Sequence, residues 1–343
     1  MDNATVARIV KRYGYIPATF LPVEKGYRNE SHPYELSNGQ RLNLIIYKRE
    51  TGIVVRIRNA NSVSGFLANR GLPCRRTIDG RIMQLSAGQR HRYAALYSYL
   101  PGQTIPWEGY TRKHIKLLGK TMSDMHAALG SYDMARLPDV ADEYLQILKR
   151  AQQYFGLSSI RQAMHQKLRL DVPVANLAKY IFVLEACKGL PDQQALHMDF
   201  VRSNILFNND PSAPSPPFIS GILDFEKTAR GHCLFDIART LAFLLVDCKH
   251  TPAVKVRKYF LYSGYEKRGG HKLQRIAITI QGEKIELLEC LLDIFMLHDF
   301  YKFLKHNPYE SLQMNEHYIR TRDILFTRKL LIKSETSNRI ESK

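Results

Sequence analysis

Nowhere in the 343 residues does an apolar run approach the roughly twenty needed to cross a membrane as a helix. The start, MDNATVARIVKRYGY, is polar and does not read as a secretory signal. Cysteine is scarce: five residues, at 74, 187, 233, 248 and 290, are widely spaced and form no CxxC pair. That excludes a disulfide framework and a zinc site and fits a reducing compartment, so the expected location is cytoplasmic. His232 beside Cys233 has no further ligands nearby and reads as structure rather than a metal pair. No internal repeat or low-complexity domain is evident. Acidic residues are also short, 32 against 50 Lys and Arg, and none occurs between Ile53 and Ile78.

The resulting net charge of +18 favours anionic partners through long-range steering: a nucleotide, a phosphorylated metabolite, RNA or a membrane surface. It disfavours a polycationic substrate, which would need a concentrated acidic pocket. Solubility alone also accounts for such a charge. The length exceeds that at which single cores stop growing, so two lobes are expected. A hydrophobic content of 45% and a charged content of 24% are those of a soluble globular protein.

What the chain does contain is concentrated in LHMDFVRSNILF…ISGILDFE, from Leu196 to Glu226. Asp199, Asn204 and Asp224 stand there where phosphoryl transfer needs a carboxylate to receive a hydroxyl proton, and an amide and a second carboxylate to hold Mg²⁺ on nucleotide phosphates. The strand Asn204 to Phe207 and the apolar run Phe218 to Phe225 are separated by turn punctuation between Asn208 and Pro217, which predicts a hairpin that returns Asp224 beside Asn204. Hard oxygen ligands suit Mg²⁺. Asp and Asn are common turn formers, so either half alone is weak evidence.

With both halves present the chain resembles the aminoglycoside phosphotransferase and choline kinase-like enzymes, small-molecule kinases with a protein-kinase-like fold. That family's HGDxxxxN appears here with Met198 in place of the glycine, and its apolar-Asp-Phe-acid segment as Leu223, Asp224, Phe225 and Glu226. Leu234 to Ala238 partly matches a helix start in which Asp236 looks like the carboxylate that braces the catalytic loop. LYSYLPG at 96–102 resembles the interlobe hinge, and LGKTMSDMHAAL at 118–129 the first helix of the C-lobe. The resemblance covers about residues 1 to 250. It implies an α+β, protein-kinase-like two-lobed fold, with a small antiparallel-sheet N-lobe at 1–100, a larger helical C-lobe at 101–333 and a disordered tail at 334–343. It also implies ATP, with GTP as the alternative nucleotide, and Mg²⁺ held by Asn204 and Asp224. Asp199 would be the catalytic base, with His197 ordering its loop. The hinge residues Ser98, Tyr99 and Leu100 would hold the nucleotide, and Gly26, Tyr27 and Arg28 occupy the place of the nucleotide loop.

Along the N-lobe, a helix is expected over Thr5 to Tyr13, strands over Ala18 to Val23, Tyr34 to Leu36 and Leu42 to Tyr47 around an Asn38-Gly39 turn, and a helix over Val54 to Asn69. Short strands are expected at Arg75 to Ile78, Ile82 to Leu85 and Arg92 to Tyr99. The departure from the family lies here. Kinases of this fold pair a strand lysine with a helix glutamate. LIIYK at 44–48 puts Ile45 where the lysine should be, and the glutamate position falls near Ala60. Three readings stay open: Lys48 acts without a partner, Arg56 or Arg58 contacts phosphate, or the nucleotide site is degenerate. Arg56 and Arg58 also read as a solvated helix face.

Further helices are expected over Thr111 to Leu129, Ala141 to Phe155, Ser158 to Leu170, Val174 to Lys188, Asp236 to Val246, Ile285 to His306 and Ser311 to Lys333. His126 reads as a core or capping residue. Glu286, Glu289, Asp293 and Asp299 are carboxylates available to an acceptor pocket, and no sequence argument selects among them. The expected acceptor is a small-molecule hydroxyl, with an amino alcohol or similar metabolite favoured over an aminoglycoside. The reading from another class is an inactive, pseudokinase-like module that uses its basic surface on RNA or anionic lipid.

Overall fold

The computed structural model describes residues 1–25, 29–87, 90–208, 216–267, 273, 275–280 and 282–333. The expected nucleotide loop at Gly26, Tyr27 and Arg28 and the expected tail at 334–343 lie outside the described residues. The N-lobe is an antiparallel sheet in the order β1 (Thr19–Phe20), β3 (Asn29–Glu35), β4 (Arg41–Tyr47), β6 (Arg90–Ser98) and β5 (Thr77–Ala87), with β2 (Glu24–Lys25) also paired to β3. Alternation along β4 decides what each face buries. Leu42, Leu44 and Ile46 point to one side, where α1 (Asn3–Arg12) packs Val6, Ile9 and Val10 against them. Ile45 and Tyr47 point to the other, toward Ile53 and Ile57 of α2 (Ile53–Asn69). Two strands expected at 75–78 and 82–85 form one strand, β5, whose register against β6 shifts between Thr77 and Ile82. Gly80, at φ +73°, absorbs the irregularity with a left-handed conformation that a residue with a Cβ rarely adopts.

The C-lobe is helical: α3 (Arg112–Leu129), α4 (Val140–Gly156), α5 (Ser158–Leu168), α6 (Val174–Cys187), α7 (Leu234–Asp247), α8 (Ala253–Arg257), α9 (Leu287–His306), α10 (Tyr309–Leu312) and α11 (Glu316–Thr327). Thr111 caps α3, and its exchange of hydrogen bonds with His114 forms a capping box. The continuous last helix expected over Ser311 to Lys333 is instead divided. Asn315 accepts from the Tyr318 amide and starts α11 as a separate helix, and Ile332–Lys333 leaves it as a short strand paired with Leu170–Asp171. The core runs through α7 and α9 and extends to Ala60, Val63 and Leu67 of α2, so α2 belongs to both lobes' packing. All five cysteines are unpaired. Among the described residues no helix is long and apolar enough to cross a membrane.

Histidines that burial makes less basic render the fold sensitive to acid, and the half-buried His298 is one of them. His298 on α9 lies with its ring against Tyr144, and burial pushes it down to about 3. The unfolded chain takes up this proton near pH 6.5 while the folded protein does not, so stability present above pH 6.5 is lost as pH falls toward 3, by at most roughly 1.4 kcal/mol per pH unit. Thermal melts from pH 7.5 to 4.5 should show this loss, and His298→Gln should make it less steep, His32, His197 and His317 contributing the rest. An unchanged slope in the variant would place the acid sensitivity elsewhere.

Candidate active site

The strands Ile205–Asn208 and Phe218–Ile222 form the hairpin that the spacing predicts, paired from Phe218–Asn208 to Ile222–Ile205 with an irregularity at Ser220. The chain continues through Leu223, whose amide donates to the Asn204 carbonyl at 2.8 Å, and turns at Asp224 with φ +57°. Asn204 Nδ2 donates to the Asp199 carboxylate at 3.1 Å and to the Asp199 carbonyl at 2.9 Å. Asp199, Asn204 and Asp224 are thereby gathered from positions twenty-five residues apart at one edge of a cleft.

The loop before Asn204 is held from below by Asp236, the first acidic residue of α7. Its carboxylate accepts from the His197 amide at 2.8 Å, from the Met198 amide at 2.6 Å and from His126 Nε2 at 3.2 Å. Burial works to raise this carboxyl, yet the His126 hydrogen bond and the nearby histidines hold it below the usual range. His126 is therefore a bracing residue, with its other nitrogen 2.8 Å from the Tyr265 hydroxyl. His197 is buried, which lowers its basicity, and both nitrogens are engaged. Nε2 donates to the Leu223 carbonyl at 3.1 Å and Nδ1 accepts the Asp199 amide at 3.1 Å, which fixes the tautomer and leaves no site for a further proton. Met198 sits at φ +60°, a left-handed position that the glycine of the resembling motif would occupy without strain.

The cleft has a volume of about 180 Å³ and is lined at one end by Asn204 and Asp224, and at the other by Ser98, Tyr99 and Leu100. Gly102, just beyond them, has φ +118°, and a Cβ there would lie 2.2 Å from Ser220 Oγ, so the linker between the lobes passes flush against the hairpin. Ile45 and Asn43 line the sheet side. Lys48 lies past the end of β4, exposed and outside the cleft lining. Arg56 pairs with Glu50 at 3.0 Å on an exposed helix face, and Arg58 is exposed as well.

The cation that does enter the cleft is Arg75, which the sequence reading passed over. The Pro73 carbonyl accepts from the Ile222 amide and Cys74 bridges Ile222, which carries the chain alongside the hairpin. Arg75 Nη2 then reaches Glu226 at 2.6 Å and lies within 3.4 Å of the Tyr47 hydroxyl, with its guanidinium 4.4 Å from the centre of the Tyr97 ring. Among the described residues Arg75 Nε finds no acceptor. Burial would raise the Glu226 carboxyl, and the Arg75 guanidinium outweighs it and holds Glu226 well below its usual range. Burial and the neighbouring Glu226 push Asp224 upward. A cation at Asp224 would replace the proton that this environment favours, so the donor set fits a divalent ion. Among the described residues no cluster of three His, Cys, Asp or Glu forms a metal cage, which leaves the rest of the shell to phosphate oxygens and water.

Lys227 was also missed, although it directly follows the Asp224 motif. Its Nζ lies 2.7 Å from Asp199 Oδ1. The carboxylates on α9 are committed to arginines. Glu289 pairs with Arg257 and Arg328, Asp293 pairs with Arg328 and accepts from Tyr180, and Asp299 takes both Arg239 nitrogens at 2.7 and 3.1 Å.

Comparison with known proteins bears on the family and the fold. The model of the phosphotransferase enzyme family matches residues 19–268. A hydroxylysine kinase of Danio rerio is 23% identical over 262 residues, 72% of this chain and 71% of that protein. Among solved structures, an amicoumacin kinase in complex with AMP-PNP, Ca²⁺ and its ligand superposes with a TM-score of 0.65 at 14% identity, covering 96% of this chain and 97% of that one. A microcompartment-associated aminopropanol kinase does so with a TM-score of 0.62 at 15% identity, covering 96% and 99%. These likenesses support the two-lobed, protein-kinase-like fold.

Proposed function

Because the chain belongs to the phosphotransferase enzyme family, we propose that it is a kinase that moves the γ-phosphoryl group of ATP to a hydroxyl of a small metabolite, with Asp199 as the base. The observation that carries this is a cleft lined by Asn204, Asp224 and the linker residues Ser98 to Leu100, with Asp199 hydrogen-bonded to Asn204 beside it. In this reading Asp199 orients the acceptor hydroxyl and receives its proton, and Ser98, Tyr99 and Leu100 hold the nucleotide base. The lobes meet at residue 100.

Asn204 and Asp224 would hold Mg²⁺, which when bound neutralises phosphate charge. The buried guanidinium of Arg75, anchored on Glu226 and with Nε still to be satisfied, stands in for the lysine that Ile45 replaces. Arginine suits this exchange because it is always charged and binds phosphate oxygens through a planar fork. The acceptor is an amino alcohol or a metabolite of similar size; hydroxylysine and aminopropanol, acceptors named for two of the relatives, are of this kind.

A thermal-shift titration with ATP and GTP, each with and without Mg²⁺, tests the assignment. A ligand at 100 times its dissociation constant should stabilise by about 2.7 kcal/mol. The expected result is a Mg²⁺-dependent shift in the wild type that Asp224→Asn abolishes. If no nucleotide stabilises the wild type, the assignment fails, and the basic surface should be tested for salt-dependent RNA or anionic-lipid binding.

A further inference from the structure

Lys227 stands next to Asp199 because two strands share an end. The strand Gln193–Leu196, which runs into the catalytic loop, pairs antiparallel with Ala229–His232, and Ala229 lies opposite Leu196. The chain reaches Asp199 just past Leu196 and Lys227 just before Ala229, so both residues leave the same end of the pair. The turn that carries Lys227 is fixed on both sides. The Thr228 amide donates to the Phe225 carbonyl at 3.0 Å, the Phe225 and His197 ring centres are 4.4 Å apart, and Glu226 is tied to Arg75. From this turn Lys227 Nζ meets Asp199 Oδ1 at 2.7 Å, while Asn204 Nδ2 takes Oδ2 at 3.1 Å. The carboxylate read as the base is thus held by an amide on one oxygen and a cation on the other.

We propose that Lys227 is a catalytic residue of the transfer: its ammonium, anchored on Asp199 Oδ1, donates to an oxygen of the γ-phosphoryl group as that group passes to the acceptor. The inference rests on the kinase reading above and adds a group to its machinery. A carboxylate offers about four lone-pair sites, so the bonds from Asn204 and Lys227 leave Asp199 room for the acceptor hydroxyl. An ammonium carries three donors, and Lys227 has donors to spare beyond Asp199 among the described residues. Its side chain is 31% exposed, so a ligand can reach them. A hydroxyl oxygen bonded to Asp199 stands about 2.7 Å from the carboxylate and about 3–3.5 Å from the phosphorus it attacks. The phosphoryl oxygens therefore come within the sweep of a four-carbon side chain that already rests on the same carboxylate. Electrostatics calls for a cation there. The base and the phosphoryl group are both anionic and must close on one nucleophile, and an ammonium touching both offsets their repulsion. Arg75 lines the cleft with Asp224, whereas Lys227 lines a cavity between α7, α9 and α11, so the two cations stand on different walls. In the step itself the acceptor oxygen forms a bond to the γ-phosphorus, the bond from that phosphorus to the β,γ-bridging oxygen breaks, the hydroxyl proton passes to Asp199, and ADP leaves. Lys227 keeps its own protons throughout.

Wild type, Lys227→Met and Lys227→Arg are compared by steady-state ADP release with Mg²⁺ and ATP, first with water as the acceptor and then with ethanolamine added, and circular dichroism checks that each variant folds. Lys227→Met should lower kcat about 10²–10³-fold, the effect of removing one donor aimed at transition-state charge, and leave the KM for ATP within about threefold. Lys227→Arg keeps the charge and should regain about tenfold or more of that loss. A lysine that merely propped Asp199 would not move a further readout, the thermal shift that aluminium fluoride adds to ADP and Mg²⁺ by imitating the phosphoryl group in transfer. Wild type should gain stability from aluminium fluoride, and Lys227→Met should lose that gain while keeping the shift from ADP and Mg²⁺ alone. The proposal is overturned if Lys227→Met keeps kcat within about threefold of wild type. It is overturned as well if turnover rises in that variant, which would make Lys227 a cover on the base, or if aluminium fluoride stabilises wild type no more than the variant. The Mg²⁺-dependent shift with nucleotide alone reads the kinase assignment separately, and where it is present that assignment stands whatever Lys227 does.

Discussion

Asp199→Asn should fold normally and lose turnover by about 10²–10⁴-fold, the range that a positioned general base contributes. The asparagine keeps the shape of the side chain and one acceptor oxygen for Asn204 or Lys227, but it cannot take the hydroxyl proton. Asp199 stands beside the cleft lining rather than in it, so the loss should fall on kcat and leave the KM for ATP within a few-fold of wild type. Asp224→Asn differs in kind. It removes a carboxylate from the cleft itself, and Mg²⁺-dependent nucleotide binding should weaken together with turnover. Circular dichroism and steady-state ADP release measure both, and wild-type-like turnover in Asp199→Asn would remove it from the role of base.

The second large effect is on stability. Arg75→Met should destabilise the protein by about 3–5 kcal/mol, because it leaves the Glu226 carboxylate buried without its counter-charge. Both side chains are only 6% exposed, so water cannot replace the lost partner. Removing both charges, as in Arg75→Met with Glu226→Gln, should restore most of that stability, since a buried pair roughly offsets its own desolvation. The double variant should still bind nucleotide poorly, because the cation is gone. Urea midpoints and nucleotide thermal shifts on the two single variants and the double variant separate these effects. Equal destabilisation in single and double variants would show that Arg75 acts through packing on Tyr97 rather than through the charge pair.

Much of the catalytic centre was legible because its chemistry is local. From His197 to Asn204 the residues share one loop, and from Asn208 to Asp224 one hairpin returns the chain, so turn chemistry and alternation suffice to bring the three polar groups together. The helices with clear apolar stripes were legible for the same reason, as α3 shows with Ile115, Leu118, Met122 and Met125. The last segment was not, because its division depends on Asn315 capping a new helix and on Ile332–Lys333 finding the distant partner Leu170–Asp171.

The cation that lines the cleft was not reached by reasoning along the chain. Lys48 is nearest in sequence to the expected position, but β4 ends before it and leaves it exposed. Arg75 follows a stretch that reads as a helix stop, and its partner Glu226 lies 151 residues away. Likewise the carboxylates of α9 were visible as residues, and their arginine partners were not.

The sequence by itself pointed to the reaction class and to Asp199, Asn204 and Asp224 as the base and metal ligands proposed for it, because those groups are set by short spacings within a loop and a hairpin. The tertiary structure alone decided which cation enters the cleft and that Lys227 lies against Asp199. Those are matters of charge placed by contacts between distant segments, and Coulomb interactions depend on distance in space rather than on separation along the chain.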